Sequence, residues 1–232
     1  IIVTVAGTVV IGQSRISPPS NKYPASEDVQ LGLKAATEAR QQLPLLKDDA
    51  VTSFVEQLGR RLVDAIPPDV QHPEFHYTFE TVNVREINAF ALPGGFLFIN
   101  HGLLLEAQTE AQFAGVIAHE ISHAVARHGH RLTKRANIAN LIYQAAQIGA
   151  MIFTGGAVGI GAYYALTYGF QGLGLILSLD LLGVSRDFEL EADQLGVQYA
   201  WKAGYDPRGF TELFDTIAKK EGYVAKTSWF RT

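Results

Sequence analysis

The chain of 232 residues contains no cysteine. Disulfides, thiolate metal sites and a cysteine nucleophile are therefore excluded, while the compartment stays open, because an exported protein can also lack cysteine. Methionine occurs once, at Met151, and the chain opens on "IIVTVAGTVVIG" without an initiator. That β-branched start reads as a strand or tail in preference to the remnant of a signal segment, since it shows no basic n-region or cleavage motif. A basic surplus is missing too. Nineteen Lys+Arg against 23 Asp+Glu give a net charge of −4, which leaves no electrostatic footprint for nucleic acid. Charge of either sign disappears altogether between Ala136 and Leu179. No internal repeat is visible. With 47% hydrophobic residues, the length suits one domain of ordinary size with a real core.

The pattern of what is present divides the chain. Ser14 to Ser26 is a loop by its Ser, Pro and Asn content. Ser26 can cap a helix through "EDVQLGLKAATEARQQ", with acids in its first turn. Val51, Phe54, Val55, Leu58, Leu62 and Ile66 recur at helical spacing until Pro67-Pro68 stops them. The period then changes: "FHYTFETV" alternates, and "NAFALPGGFLFIN" reads as two short strands joined at "PGG". Thr109 and Gln112 form a capping box for the next helix, which can end at Gly129. A later helix through "SRDFELEADQLGVQYAWKAG" closes at Gly204, and Asp206-Pro207 opens another.

Four of the seven histidines fall within "HEISHAVARHGH". His119, Glu120 and His123 spell H-E-x-x-H inside a predicted helix. Histidines four apart project from one face, so both imidazoles can reach one zinc ion. Glu120 sits beside that ion, where a carboxylate can take a proton from water. Buried, hydrogen-bonded core histidines are the bland alternative. The metzincin extension would need glycine at 126 and histidine at 129; those positions are Ala126 and Gly129. His128 and His130 read instead as solvated residues at a helix C-terminus.

A third ligand must then come from a distant carboxylate. No acid occurs between Glu120 and Asp180, so the candidates begin with Asp180, Asp187, Glu189, Glu191 and Asp193. At about 100° per residue, Phe188, Ala192, Leu195 and Tyr199 form an apolar stripe. Glu189 and Asp193 flank it on the side of Gly196 and Ala200, small residues that admit a close neighbour. Glu191 falls with Gln194 and Gln198 on the polar side. Glu189 is thus the better ligand, and Asp193, one turn on, can hydrogen-bond a ligating imidazole. An ordinary solvated acid face is the competing reading.

These segments, "NAFALPGGFLFINHGLL", "AHEISHAVARH", "SRDFELEADQLG" and "AGYDPRGF", resemble the gluzincin metallopeptidases of peptidase family M48, which holds the CaaX prenyl proteases and the HtpX, BepA and LoiP proteins. In order and spacing they cover most of Asp28 to Phe214, with the BepA-like and LoiP-like branch nearest in pattern. The resemblance implies an α+β, predominantly helical zincin-like fold, with a small antiparallel sheet beside the H-E-x-x-H helix. It implies one Zn2+ per chain held by His119, His123 and Glu189, Glu120 as general base and Asp193 behind a ligand. Arg186 matches the motif arginine and would steady its helix. Asn88, in the family's Asn-Ala pair, becomes a candidate substrate contact, and Ala89 and Phe90 beside it share that expectation. The implied activity is endopeptidase cleavage of unfolded or misfolded polypeptide in the bacterial envelope, the periplasm above all. A latent, chaperone-like zinc module is the alternative.

The family's His-Pro segment, implicated in transition-state stabilisation or gating, has no counterpart after the last helix; His72-Pro73 lies in the wrong context. The expectation is one metallopeptidase domain over 1–232, with 1–25 a tail or loop, and the missing donor either lies beyond Thr232 or is lacking, which leaves the transition-state stabiliser unassigned. The uncharged stretch is broken by "TGGAVGIGA" and "GFQGLGLILSL", so buried helices and a mobile glycine-rich segment fit it better than a membrane span. A lid over the site and peripheral membrane contact are minor readings.

Overall fold

The computed structural model describes residues 17–18, 23–129 and 179–220, with side chains at 187–217 in the last stretch. The expectations for the first residues, for His130 and for the uncharged stretch up to 178 lie outside the described residues. So does the Arg186 side chain.

Two helices lead the fold, α1 (Ala25–Gln42) and α2 (Asp49–Asp64), followed by strands β1 (Thr78–Val82), β2 (Ala89–Leu92) and β3 (Phe96–Asn100). Then come α3 (His101–Glu106), α4 (Glu110–Val125), α5 (Leu179–Lys202) and α6 (Gly209–Lys220). This is an α+β chain with a small sheet beside α4. The sheet is mixed, which corrects the antiparallel expectation. β2 and β3 form the antiparallel hairpin, but β1 lies parallel to β3 on its other side, Thr78 against Phe96 through Val82 against Asn100. Gly94 and Gly95 make the hairpin turn at φ +79° and +95°, backbone that side chains resist.

Alternation along the strands builds two cores. Phe79, Ala89, Leu97 and Ile99 face the main core with α2, α4, α5 and α6. Val82, Phe90, Leu92, Phe96 and Phe98 face α1, against Ala35, Ala36 and Ala39. Hence β3, "FLFIN", is apolar from Phe96 to Ile99 and buried at every position, as a central strand covered on both faces must be. The outer side of β1 is closed by the segment before α2: Leu46 N–H donates to Thr81 O at 2.8 Å and Asn83 N–H to Pro44 O at 2.7 Å. That leaves β2 as the strand with an unpaired edge among the described residues.

Helix ends differ from the sequence reading in instructive ways. α1 starts at Ala25 behind Pro24, ahead of Ser26, and no side chain caps it. At α4 the Thr109 hydroxyl accepts from Gln112 N–H at 3.2 Å. The Gln112 side chain reaches back one residue further than a capping box would, to Gln108 N–H at 2.9 Å. Thr109→Ala should cost about 1 kcal/mol, read as a lower denaturation midpoint with unchanged cooperativity. The end of α4 is set by Arg127 at φ +58°, not by Gly129. Its buried guanidinium pairs with buried Asp28, Nε to Oδ2 at 3.0 Å, and donates to Tyr23 O and Pro24 O.

Candidate metal centre

α4 runs through the main core and is buried at nearly every position, His119 and Glu120 included. α5 lies along it. Gly196 makes that approach possible: a Cβ there would meet the His119 backbone at 3.0 Å. Ala192, Leu195 and Tyr199 are buried along the stripe expected of them. Because α5 is pressed to α4 at Gly196, Glu189 and Asp193, seven and three residues earlier, come level with the two histidines. Gly196→Val should separate the helices, cost about 1–3 kcal/mol and weaken metal binding, measurable by denaturation and metal titration on one preparation.

His119, His123 and Glu189 are brought together as a group that could hold a metal ion. The two Nε2 atoms stand 3.0 Å apart. One Glu189 oxygen is 3.3 Å from His119 Nε2 and the other 3.6 Å from His123 Nε2. In a tetrahedral zinc site with bonds of 2.0–2.1 Å, neighbouring ligand atoms are about 3.3–3.4 Å apart, so the side chains are spaced for such an ion. Both Glu189 oxygens are buried without a well-formed hydrogen bond. A buried carboxylate left that way is costly unless a cation completes it.

The charges agree with this arrangement. Burial works against ionising Glu189, yet His123 and His119 hold its carboxyl far below the usual range. Burial also disfavours a charged His119, but Asp193 and Glu189 outweigh it and push the imidazole up to about 10. Asp193 reaches the far side of that ring, Oδ1 to Nδ1 at 2.9 Å. Glu120 is also buried, outside the three-residue group. Burial raises its carboxyl, His123 and His119 draw it back, and a backbone hydrogen bond from Ala91 lowers it further, with the net shift upward. Phe210 stacks on His119 with centroids 5.2 Å apart.

The expected substrate contacts divide. Asn88 and Ala89 are buried at the start of β2. Asn100 N–H donates to Asn88 O at 2.9 Å, so alternation directs the polar groups of Asn88 and Phe90 to β3 and those of Ala89 and Ala91 to the free edge. Phe90 is therefore corrected as a contact. Its side chain stacks on Phe98, centroids 5.2 Å apart, in the core under α1. Ala91 is the partly exposed residue of β2.

Two sequence readings fail here. His128 is not solvated but buried, its Nδ1 2.9 Å from His123 Nδ1. Glu191 is not on a polar outer face, since its Oε2 is 3.0 Å from His128 Nε2. Continued helix would carry His128 about 140° away from His123. The left-handed Arg127 turns the chain back instead, and that turn has no local signal in a non-glycine residue. His72, the other His-Pro residue, binds Val125 O at 3.0 Å at the end of α4.

The family model of peptidase family M48 matches residues 51–232. A Vibrio cholerae protein provisionally named a beta-barrel assembly-enhancing protease is 33% identical over 190 residues, covering 81% of this chain and 37% of that protein. The beta-barrel assembly-enhancing protease of Yersinia pestis is 29% identical over 201 residues, 86% of this chain and 39% of the relative. The mitochondrial metalloendopeptidase OMA1 of Schizosaccharomyces pombe is 31% identical over 144 residues, covering 62% and 38%. The chain thus spans less than two-fifths of the length of these relatives.

Proposed function

The chain belongs to peptidase family M48, and on that premise we propose that it is a zinc-dependent endopeptidase that cuts unfolded or misfolded polypeptide. The observation that carries the proposal is the group of two imidazoles and a buried carboxylate at zinc-ligand spacing, with a further buried carboxyl, Glu120, beside it. His119, His123 and Glu189 would hold the ion. When bound, zinc supplies Lewis acidity, polarising a peptide carbonyl and acidifying water.

The rest is the work of the chain. Asp193 fixes the His119 ring so that Nε2 faces the site. Glu120 takes a proton from water at the site and passes it to the leaving amine, a role suited to a carboxyl whose affinity for protons is raised by burial. The Ala91 N–H holds the Glu120 carboxylate in place. The free edge of β2 would receive substrate as an added strand through the backbone groups of Ala89 and the carbonyl of Ala91, its N–H being held by Glu120. Recognition through backbone hydrogen bonds needs no particular sequence, which suits unfolded chains.

The names of the bacterial relatives support work in envelope protein quality control, with the periplasm as the proposed place. Among the described residues no helix is long and apolar enough to cross a membrane. The test is cleavage of casein by zinc-loaded protein. Loss of cleavage on chelation and its return with about one equivalent of zinc are expected. Zinc retained at one per chain without turnover, in the full-length protein as well, would favour the latent chaperone-like module.

A further inference from the structure

Resting on the zinc-site reading above, we infer that His128 and Glu191 are positioning residues that fix the ring of His123 through a hydrogen-bonded relay. The two imidazoles of the group are held in different ways. His119 has a carboxylate directly on its outer nitrogen, Asp193 at 2.9 Å. His123 has another imidazole there, His128 Nδ1 to His123 Nδ1 at 2.9 Å, and the carboxylate comes one step later, Glu191 on His128 Nε2 at 3.0 Å.

That order admits one arrangement of protons. For His123 Nε2 to present a lone pair to the site, its Nδ1 must carry hydrogen and donate. His128 Nδ1 then accepts, which obliges His128 to carry its hydrogen on Nε2 and donate to Glu191. The relay thus selects the ligating tautomer of His123 and the direction of its ring. The surroundings hold it firmly. His128 is 2% exposed, and Phe188 stacks on its face with centroids 4.3 Å apart and planes at 10°. Arg127, turned left-handed and tied to Asp28, delivers His128 to this place.

The experiment compares zinc affinity, by competition with a chromophoric chelator, for wild type, His128→Leu, His128→Gln and Glu191→Leu. Each zinc-loaded protein is also examined by nitrogen-resolved NMR of its imidazole N–H groups. His128→Leu should weaken zinc binding by about 10- to 100-fold and abolish the protected Nδ1–H signal of His123. Glutamine can accept through its carbonyl and donate through its amide, so His128→Gln should recover most of the affinity and that signal. A merely structural role would not produce this recovery. Glu191→Leu, on a helix that keeps its packing at other positions, gives the same loss if His128→Leu does not fold. Wild type carrying one zinc while the leucine variants bind within twofold of it, with the His123 signal intact, overturns the relay alone. Wild type that binds no zinc overturns the zinc-site reading and the relay with it.

Discussion

Glu120→Gln is expected to lower kcat/KM for peptide cleavage by about 10²- to 10⁴-fold, the usual worth of a positioned acid–base group, while leaving zinc content at its wild-type level. The substitution keeps the shape of the side chain and an oxygen that can accept from Ala91 N–H. It removes the ability to take up a proton, and Glu120 stands outside the three-residue group that would hold the ion. Folding should not suffer. In the metal-free protein the buried Glu120 carboxyl is raised above its value of 4.5, so the unfolded chain releases this proton first as pH rises. Its contribution is therefore favourable at low pH and is lost between 4.5 and the raised folded value. A neutral amide avoids that cost, and the denaturation midpoint near neutrality should stay level or rise. Activity within tenfold of wild type would remove Glu120 from the mechanism.

Glu189→Ala should empty the site. If the 10–16 kcal/mol typical of zinc held by four protein ligands is shared among them, one ligand is worth about 3 kcal/mol, or a factor of roughly 10² or more in affinity. After extensive buffer exchange the zinc-to-chain ratio, measured by atomic emission, should fall from about one to near zero. Glu191→Ala, which removes only the end of the relay behind His123, should lose less affinity than Glu189→Ala and keep more zinc under the same wash. The reverse result would mean that α5 presents its other side to the ion. Proton linkage gives a second reading. The metal-free His119 imidazole, pushed up to about 10, carries a proton at neutral pH that the ion must displace. Zinc affinity should therefore rise with pH through the neutral range, and binding should acidify a weakly buffered solution. Flat affinity across that range would show the site to be unprotonated before it binds.

What could be seen in advance was what a single helix can encode. His119 and His123, four apart, and Glu189 and Asp193, also four apart, each declare a shared face through a 3.6-residue period. The small residue at 196 then tells which face is approached. Relations that cross between elements were less visible. Nothing local in "TFETV" distinguishes a parallel partner from an antiparallel one, because the choice depends on how α2 and the loop after it return the chain to the sheet. Nor does helical counting survive a left-handed residue. Arg127 breaks it, and with it went the places of His128 and Glu191. Phe90 was misjudged for a related reason: its neighbours in sequence are near the site, but alternation sends its ring to the opposite face.

The bond between Arg127 and Asp28 also bears on how long a self-sufficient piece of this chain must be. The match to the family model begins at Val51, and α1 lies wholly before it. Cutting there would strip Ala35, Ala36 and Ala39 from Phe90, Phe96 and Phe98. It would also strip the Arg127 cation of Asp28 and of the carbonyls of Tyr23 and Pro24. A piece of this chain that keeps those contacts therefore starts well before the family-model match, no later than Tyr23.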